Sequence, residues 1–204
     1  MSKGNVAILL SGRGSNFAAI VRASRAGGAN FAVRLAVSDR ADAAGLKKAA
    51  RFGIPAHFVD PKRFPDKAAY EARICELLER EAIDLVCLAG YMRILSSYFC
   101  REFKSRCMNI HPALLPAFPG LHVQQKAIDW GVKFSGATVH FVAEDVDMGP
   151  IIIQAVVPVL QDDTEDALAA RILVEEHKIY PEAVRLFFEG RLEVRGRRVF
   201  IRDA

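Results

Sequence analysis

The chain opens with a short continuous apolar run, Val6 to Leu10, the pattern of a strand buried on both faces. The run breaks at Ser11-Gly12-Arg13-Gly14-Ser15-Asn16. Phe17, Ile20 and Val21 then recur at i, i+3 and i+4, with the small Ser24 at i+7. That spacing predicts a helix with one apolar stripe, stopped by Gly27-Gly28. Phe31 to Val37 reads as the next strand, and Ala43 to Ala50 as a helix ending before Gly53. Tyr70, Ile74, Leu77 and Leu78 mark a third helical stripe, ahead of a strand at Leu85 to Ala89. The βαβαβ order predicts an α/β fold on a parallel sheet with right-handed crossovers.

After Gly90 the texture changes. Five of the nine prolines fall between Pro112 and Pro158, around loop-rich stretches of the kind that carry function. Ala137 to Val142 and Ile151 to Val159 read as paired strands across an acidic connection. A long helix starts at about Thr164, with Thr164 as N-cap and Glu165 and Asp166 complementing the helix dipole. Leu192 to Val194 and Arg198 to Ile201 suggest a closing hairpin. With no repeat, low-complexity segment or Ser/Gly-rich linker, a single domain is expected over residues 1–204, with halves of about 1–100 and about 101–204.

Composition narrows the classes. At 204 residues, 51% hydrophobic and 25% charged, the chain is neither disordered, collagen-like nor coiled-coil. No run approaches ~18 uninterrupted apolar residues, so no transmembrane helix is expected, and Val6 to Leu10 is too short for the core of a secretory signal. Cys75, Cys87, Cys100 and Cys107 form no CxxC pair, as expected of buried thiols in a reducing cytoplasm. A net charge of +4, scattered along the chain, does not suit a nucleic-acid or membrane partner but is compatible with small anionic substrates.

Ser11 to Asn16 joins a buried strand to a helix, so backbone N–H groups at the helix start can face an anion. Ser15 and Asn16 add side-chain donors and are also good N-caps. With Gly12 and Gly14 as its first glycines, a dinucleotide fingerprint needs a third at position 17, where Phe17 stands. The Lys-Ser/Thr of an ATP loop is absent too. A monophosphate fits better than NAD or ATP, and the alternative is a tight turn without a ligand.

Asn109-Ile110-His111-Pro112 is the most chemical-looking stretch. In an extended chain Asn109 and His111 project to one side while Ile110 faces the core. An amide beside an imidazole can stabilise an oxyanion, and the imidazole can carry a proton; the alternative is a core histidine bonded to backbone. Glu144, Asp145 and Asp147 precede Gly149-Pro150, and the alternative to a functional carboxylate here is a solvated acidic turn. A carboxylate beside His111 would favour the imidazole cation, and extended alternation leaves Asp145 and Asp147 both eligible. In the long helix, Leu168, Ile172, Glu176, Ile179 and Ala183 step along one stripe. Glu176 therefore needs a partner, either a ligand hydroxyl or ammonium or an internal Arg or Lys.

Four motifs now stand in order: Ser11-Gly12-x-Gly14-Ser15-Asn16, Leu88-Ala89-Gly90-Tyr91-Met92-Arg93-Ile94-Leu95, Asn109-Ile110-His111-Pro112-x-Leu114-Leu115-Pro116, and Asp147-x-Gly149-Pro150-Ile151-Ile152-x-Gln154. From about Val6 to Arg191 the chain resembles the phosphoribosylglycinamide formyltransferases. The resemblance implies a Rossmann-like formyltransferase fold, with helices on both faces of a mostly parallel sheet and an antiparallel C-terminal part. It implies formyl transfer from 10-formyltetrahydrofolate, a co-substrate, to glycinamide ribonucleotide, with no metal and in a monomer or weak homodimer. Asn109, His111 and Asp147 would be catalytic, with Asp147 holding His111 protonated. Gly14, Ser15 and Asn16 would bind the phosphate and Glu176 the ribose hydroxyls. Lys67, Met92, Arg93, Ile94, Leu95 and Asn109 would contact the folate, and Leu115-Pro116 would be cis. Ala113 and Gln124 depart from the family's usual Ser and His. Three other classes remain open: a formyltetrahydrofolate hydrolase, a nicotinamide oxidoreductase and a non-enzymatic nucleotide-binding module.

Overall fold

A computed structural model describes residues 3–203. The chain forms two compact units, the first reaching to Met108 and the second starting at Asn109.

In the first unit, β1 (Gly4–Leu10) carries the apolar run, and Val6 to Leu10 are completely buried. β1 pairs in parallel with β2 (Phe31–Ser38) on one side and β4 (Leu85–Leu88) on the other, and β3 (Ala56–Phe58) extends the sheet beyond β2. The order β3-β2-β1-β4 means that the chain first winds one way from β1 and then returns to build on its other side. Loops leaving β1 and β4 therefore diverge at a crevice outside the carboxyl ends of the strands, where open α/β sheets bind ligands. α1 (Ser15–Arg25) buries Phe17, Ile20, Val21 and Ser24, the predicted stripe. α2 (Ala44–Arg51) and α3 (Lys67–Arg80) complete the crossovers. Asp66 caps α3, its Oδ1 accepting the Ala69 N–H at 2.8 Å. The short α4 (Ser97–Glu102) was not expected from the pattern.

β5 (Cys107–His111) crosses from one unit into the next. In the second unit the order is β5-β6-β7-β9-β8, where β6 (Phe134–Phe141) and β7 (Ile151–Pro158) are antiparallel, as are β8 (Leu192–Arg195) and β9 (Arg198–Ile201). β6 begins three residues before the expected Ala137. α5 (Val123–Asp129) lies within the proline-rich stretch that reads as loop. α6 (Glu165–Phe188) packs on β6 and β7, and Thr164 Oγ1 accepts the Ala167 N–H at 3.2 Å, the predicted cap. The α/β class, parallel first and antiparallel towards the C-terminus, is as expected. No helix among the described residues is long and apolar enough to cross a membrane.

Candidate active site

The glycine loop begins where β1 ends. Gly14, not Ser15 or Asn16, is the N-cap of α1, with left-handed backbone at φ 65°. This corrects the expected side-chain cap: Ser15 is already helical and Asn16 is buried. A Cβ on Gly14 would stand 2.6 Å from the Gly45 Cα, and Gly45 N–H donates to Gly12 O at 3.0 Å. Both the φ and the approach of α2 therefore require glycine here. The start of α1 points first-turn backbone N–H groups outward, the kind of donor an anion needs.

The loop after β4 is tied to this turn. Ser11 N–H donates to Gly90 O at 2.9 Å, and Ser11 Oγ accepts the Met92 N–H at 2.9 Å. Met92 and Ile94 are 64% and 67% exposed, while Leu95 is buried. The Arg93 guanidinium lies over the Tyr70 ring, 5.1 Å from its centroid. Lys67, the first residue of α3, is half-exposed and 4.0 Å from Glu71.

In the second unit β5 delivers Asn109 and His111 with Ile110 buried between them, as extended geometry requires. Asp147 sits in the β6–β7 turn at φ 57°, a left-handed value that Asp tolerates better than most residues. The expected alternation of Asp145 and Asp147 does not occur, because the turn is not extended. Asp145 is exposed and offers only its carbonyl, to Met148 N–H. Gly149 helps set that turn, since a Cβ there would fall 1.7 Å from Phe141 O. The Asp147 carboxylate approaches His111 Nδ1 at 3.4 Å and His140 Nε2 at 3.6 Å, and accepts Gly120 N–H at 2.9 Å.

His140 is the residue that the sequence reading missed. It lies where the β6–β7 register shifts, opposite Ile151, and its Nδ1–H donates to Phe141 O at 2.9 Å. Its Nε2 is thus left to accept from Asn109 Nδ2 at 3.2 Å. The signal was two buried polar residues, Thr138 and His140, spaced by two in an apolar strand. Thr138 Oγ1 in turn accepts Leu115 N–H and donates to Ala113 O, and Gln154 Nε2 donates to Leu115 O. These bonds fix the loop behind His111. The Leu115–Pro116 peptide is cis, as expected.

His111 Nε2–H donates to Phe118 O at 2.8 Å, so both ring nitrogens face oxygen atoms. That geometry favours an imidazolium, but burial outweighs the Phe118 carbonyl and the Asp147 charge and pushes the imidazole below its ordinary value. Burial thus works against the expected standing cation, while the Phe118 carbonyl and Asp147 work for it. Burial would raise Asp147, yet its neighbours His140, Gly120 N–H and His111 together hold it below the usual carboxylate value. Because folded His111 binds its proton less readily than the unfolded chain does, its contribution to stability is full above about pH 6.5 and is lost on acidification. His57 shifts in the same direction, so a comparison with a variant is required. The wild-type melting temperature should fall more steeply than that of His111→Asn between about pH 7.5 and about pH 5. Parallel curves would contradict the assignment.

Glu176 is 7% exposed and shares the buried face of α6 with Leu168, Ile172, Ile179 and Ala183, as the stripe predicts. Among the described residues, no group of three or more His, Cys, Asp or Glu is placed to hold a metal ion.

Comparison with known proteins now bears on this geometry. The formyl transferase family profile matches residues 4–184. Phosphoribosylglycinamide formyltransferase of Escherichia coli (strain K12) is 42% identical, across 93% of this chain and 90% of its own. The crystal structure of glycinamide ribonucleotide transformylase 1 from Symbiobacterium toebii superposes with a TM-score of 0.96 at 51% identity, covering 98% and 95% of the two chains. The trifunctional purine biosynthetic protein adenosine-3 of Drosophila melanogaster is 46% identical over 91% of this chain. This chain spans only 14–20% of the length of such trifunctional relatives. A match of this extent, over a Rossmann-like α/β fold carrying the family's four motifs in order, means that the chain belongs to the formyl transferase family, among its phosphoribosylglycinamide formyltransferases.

Proposed function

We infer that the chain transfers a formyl group from 10-formyltetrahydrofolate to the amine of glycinamide ribonucleotide, a step of de novo purine (IMP) biosynthesis carried out in the cytoplasm. The observation that carries this reading is the contact of His111 Nδ1 with Asp147 Oδ2 at 3.4 Å, with Asn109 two residues before His111 on the same strand. Gly14, Ser15 and Asn16 take the nucleotide phosphate and Glu176 its ribose hydroxyls. Lys67 and the Met92–Leu95 segment hold the folate.

Asn109 Nδ2–H and His111 Nε2–H are the two donors for the oxyanion that develops when the amine attacks the formyl carbon. Each such donor contributes ~3 kcal/mol in the transition state. His111 Nε2–H turns from the Phe118 carbonyl to that oxygen. Its Nδ1, facing Asp147, receives the proton shed by the amine, directly or through water, and passes it to the folate nitrogen that leaves. Asp147 stabilises the imidazolium while it exists. His111 is thus charged during the reaction rather than before it.

The test is a formyl-transfer assay with both substrates. Deformylated folate and formylglycinamide ribonucleotide should appear in equal amounts, and only when both substrates are present. Formate release without the nucleotide would overturn the reading in favour of a hydrolase.

A further inference from the structure

α3 carries a charge where its stripe calls for none. Glu71 lies three residues before Ile74 and seven before Leu78, on the apolar face, and its side chain is 2% exposed. Removing a carboxylate from water costs several kcal/mol unless partners replace the lost hydration, and a well-packed apolar residue at such a position is often neutral or stabilising. Packing alone does not account for a glutamate here.

Its partners lie at one end of the candidate folate edge. Glu71 Oε1 accepts the Ser96 N–H at 2.8 Å, and Oε2 accepts the Ser96 hydroxyl. Ser96 is itself the N-cap of α4, its Oγ accepting Phe99 N–H at 3.2 Å. At the other end, Ser11 Oγ holds Met92 N–H, and the Tyr91 hydroxyl meets that of Tyr70 at 2.6 Å. The four residues Met92 to Leu95 are therefore anchored on both sides. One turn back along α3, the Lys67 ammonium lies 4.0 Å from the same Glu71 carboxylate. Resting on the folate reading above, we propose that Glu71 is a positioning residue for the folate: it fixes the Met92–Leu95 backbone through Ser96 and aims Lys67 at the same ligand.

The proposal separates the two substrates. Glu71→Gln keeps the buried shape and one acceptor, but turns an amide NH2 towards the Ser96 hydroxyl or the Lys67 ammonium. Its KM for 10-formyltetrahydrofolate should rise by ~10-fold or more, the effect of losing a charge-assisted bond. Its KM for glycinamide ribonucleotide and its kcat at saturating folate should stay within about twofold of wild type. Ser96→Ala keeps the backbone bond to Glu71 and should raise the same KM by a smaller factor. A purely structural carboxylate would lower the melting temperature and leave both KM values unchanged well below it, which would overturn the proposal. So would a parallel rise in both KM values. Wild-type protein that transfers no formyl group would remove the parent reading and this inference together. Active wild type with an unchanged folate KM in Glu71→Gln would remove this inference alone.

Discussion

Asp147→Asn is expected to lower turnover by at least ~100-fold, the range lost when a positioned proton-transfer group is disabled. The carboxylate faces His111 Nδ1 at 3.4 Å and His140 Nε2 at 3.6 Å, and after the Phe118 carbonyl its charge opposes the effect of burial on His111. Asn keeps the size of the side chain and one oxygen for Gly120 N–H, now at 2.9 Å from the carboxylate. It also accepts the left-handed backbone at φ 57°. The substitution therefore removes charge and little else. Without that charge the imidazolium has no counter-ion, and the amine's proton has no favourable place to rest. Binding of the nucleotide should change little, because its phosphate and ribose are assigned to Gly14, Ser15, Asn16 and Glu176. Asp145→Asn is the matched control, expected within about threefold of wild type, as exposed substitutions away from special features usually are. If the two variants behave alike in steady-state kinetics, the carboxylate assignment is wrong.

Asn109→Ala should cost ~10²–10³ in kcat with a nearly unchanged nucleotide KM, the pattern of an interaction made in the transition state. Asn109 is a donor with a fixed aim. Its Nδ2 bonds to His140 Nε2 at 3.2 Å, and His140 is held in turn by Phe141 O. Alanine removes the oxyanion donor and also leaves His140 Nε2 without that hydrogen bond. Thermal unfolding should separate the two consequences, because only the second acts on stability. A KM effect larger than the kcat effect would make Asn109 a ground-state binding residue instead.

Much of the first unit was legible because a fully buried parallel strand leaves a continuous apolar run, and Val6 to Leu10 could hardly be anything else. The cap of α6 was equally plain, since Thr164 followed by Glu165 and Asp166 satisfies both donor and dipole. α5 stayed hidden because it has seven residues and starts after His122, whose positive φ is no part of a capping signature. His140 was within reach, since Thr138 and His140 both fall inside the strand read over Ala137 to Val142, but neither had a partner legible in the chain. Glu71 was within reach too, because it interrupts the apolar stripe of α3 as Glu176 interrupts that of α6. The choice between Asp145 and Asp147 needed the turn itself, whose curvature depends on Gly149 clearing Phe141 O. Such backbone clearances belong to three dimensions and leave no pattern in the chain.

The left-handed backbone at Asp147 also governs what mutation can do there over generations. At φ 57° Gly sits without a penalty and Asn and Asp with a small one, whereas a left-handed residue of another type costs roughly 1–2 kcal/mol. The replacements that folding tolerates best, Asn and Gly, are the ones that discard the charge. Glu, which would keep it, meets the conformational penalty and places its carboxylate one methylene further out. Sequences drifting under selection for stability alone would therefore lose function at this position by its mildest substitutions.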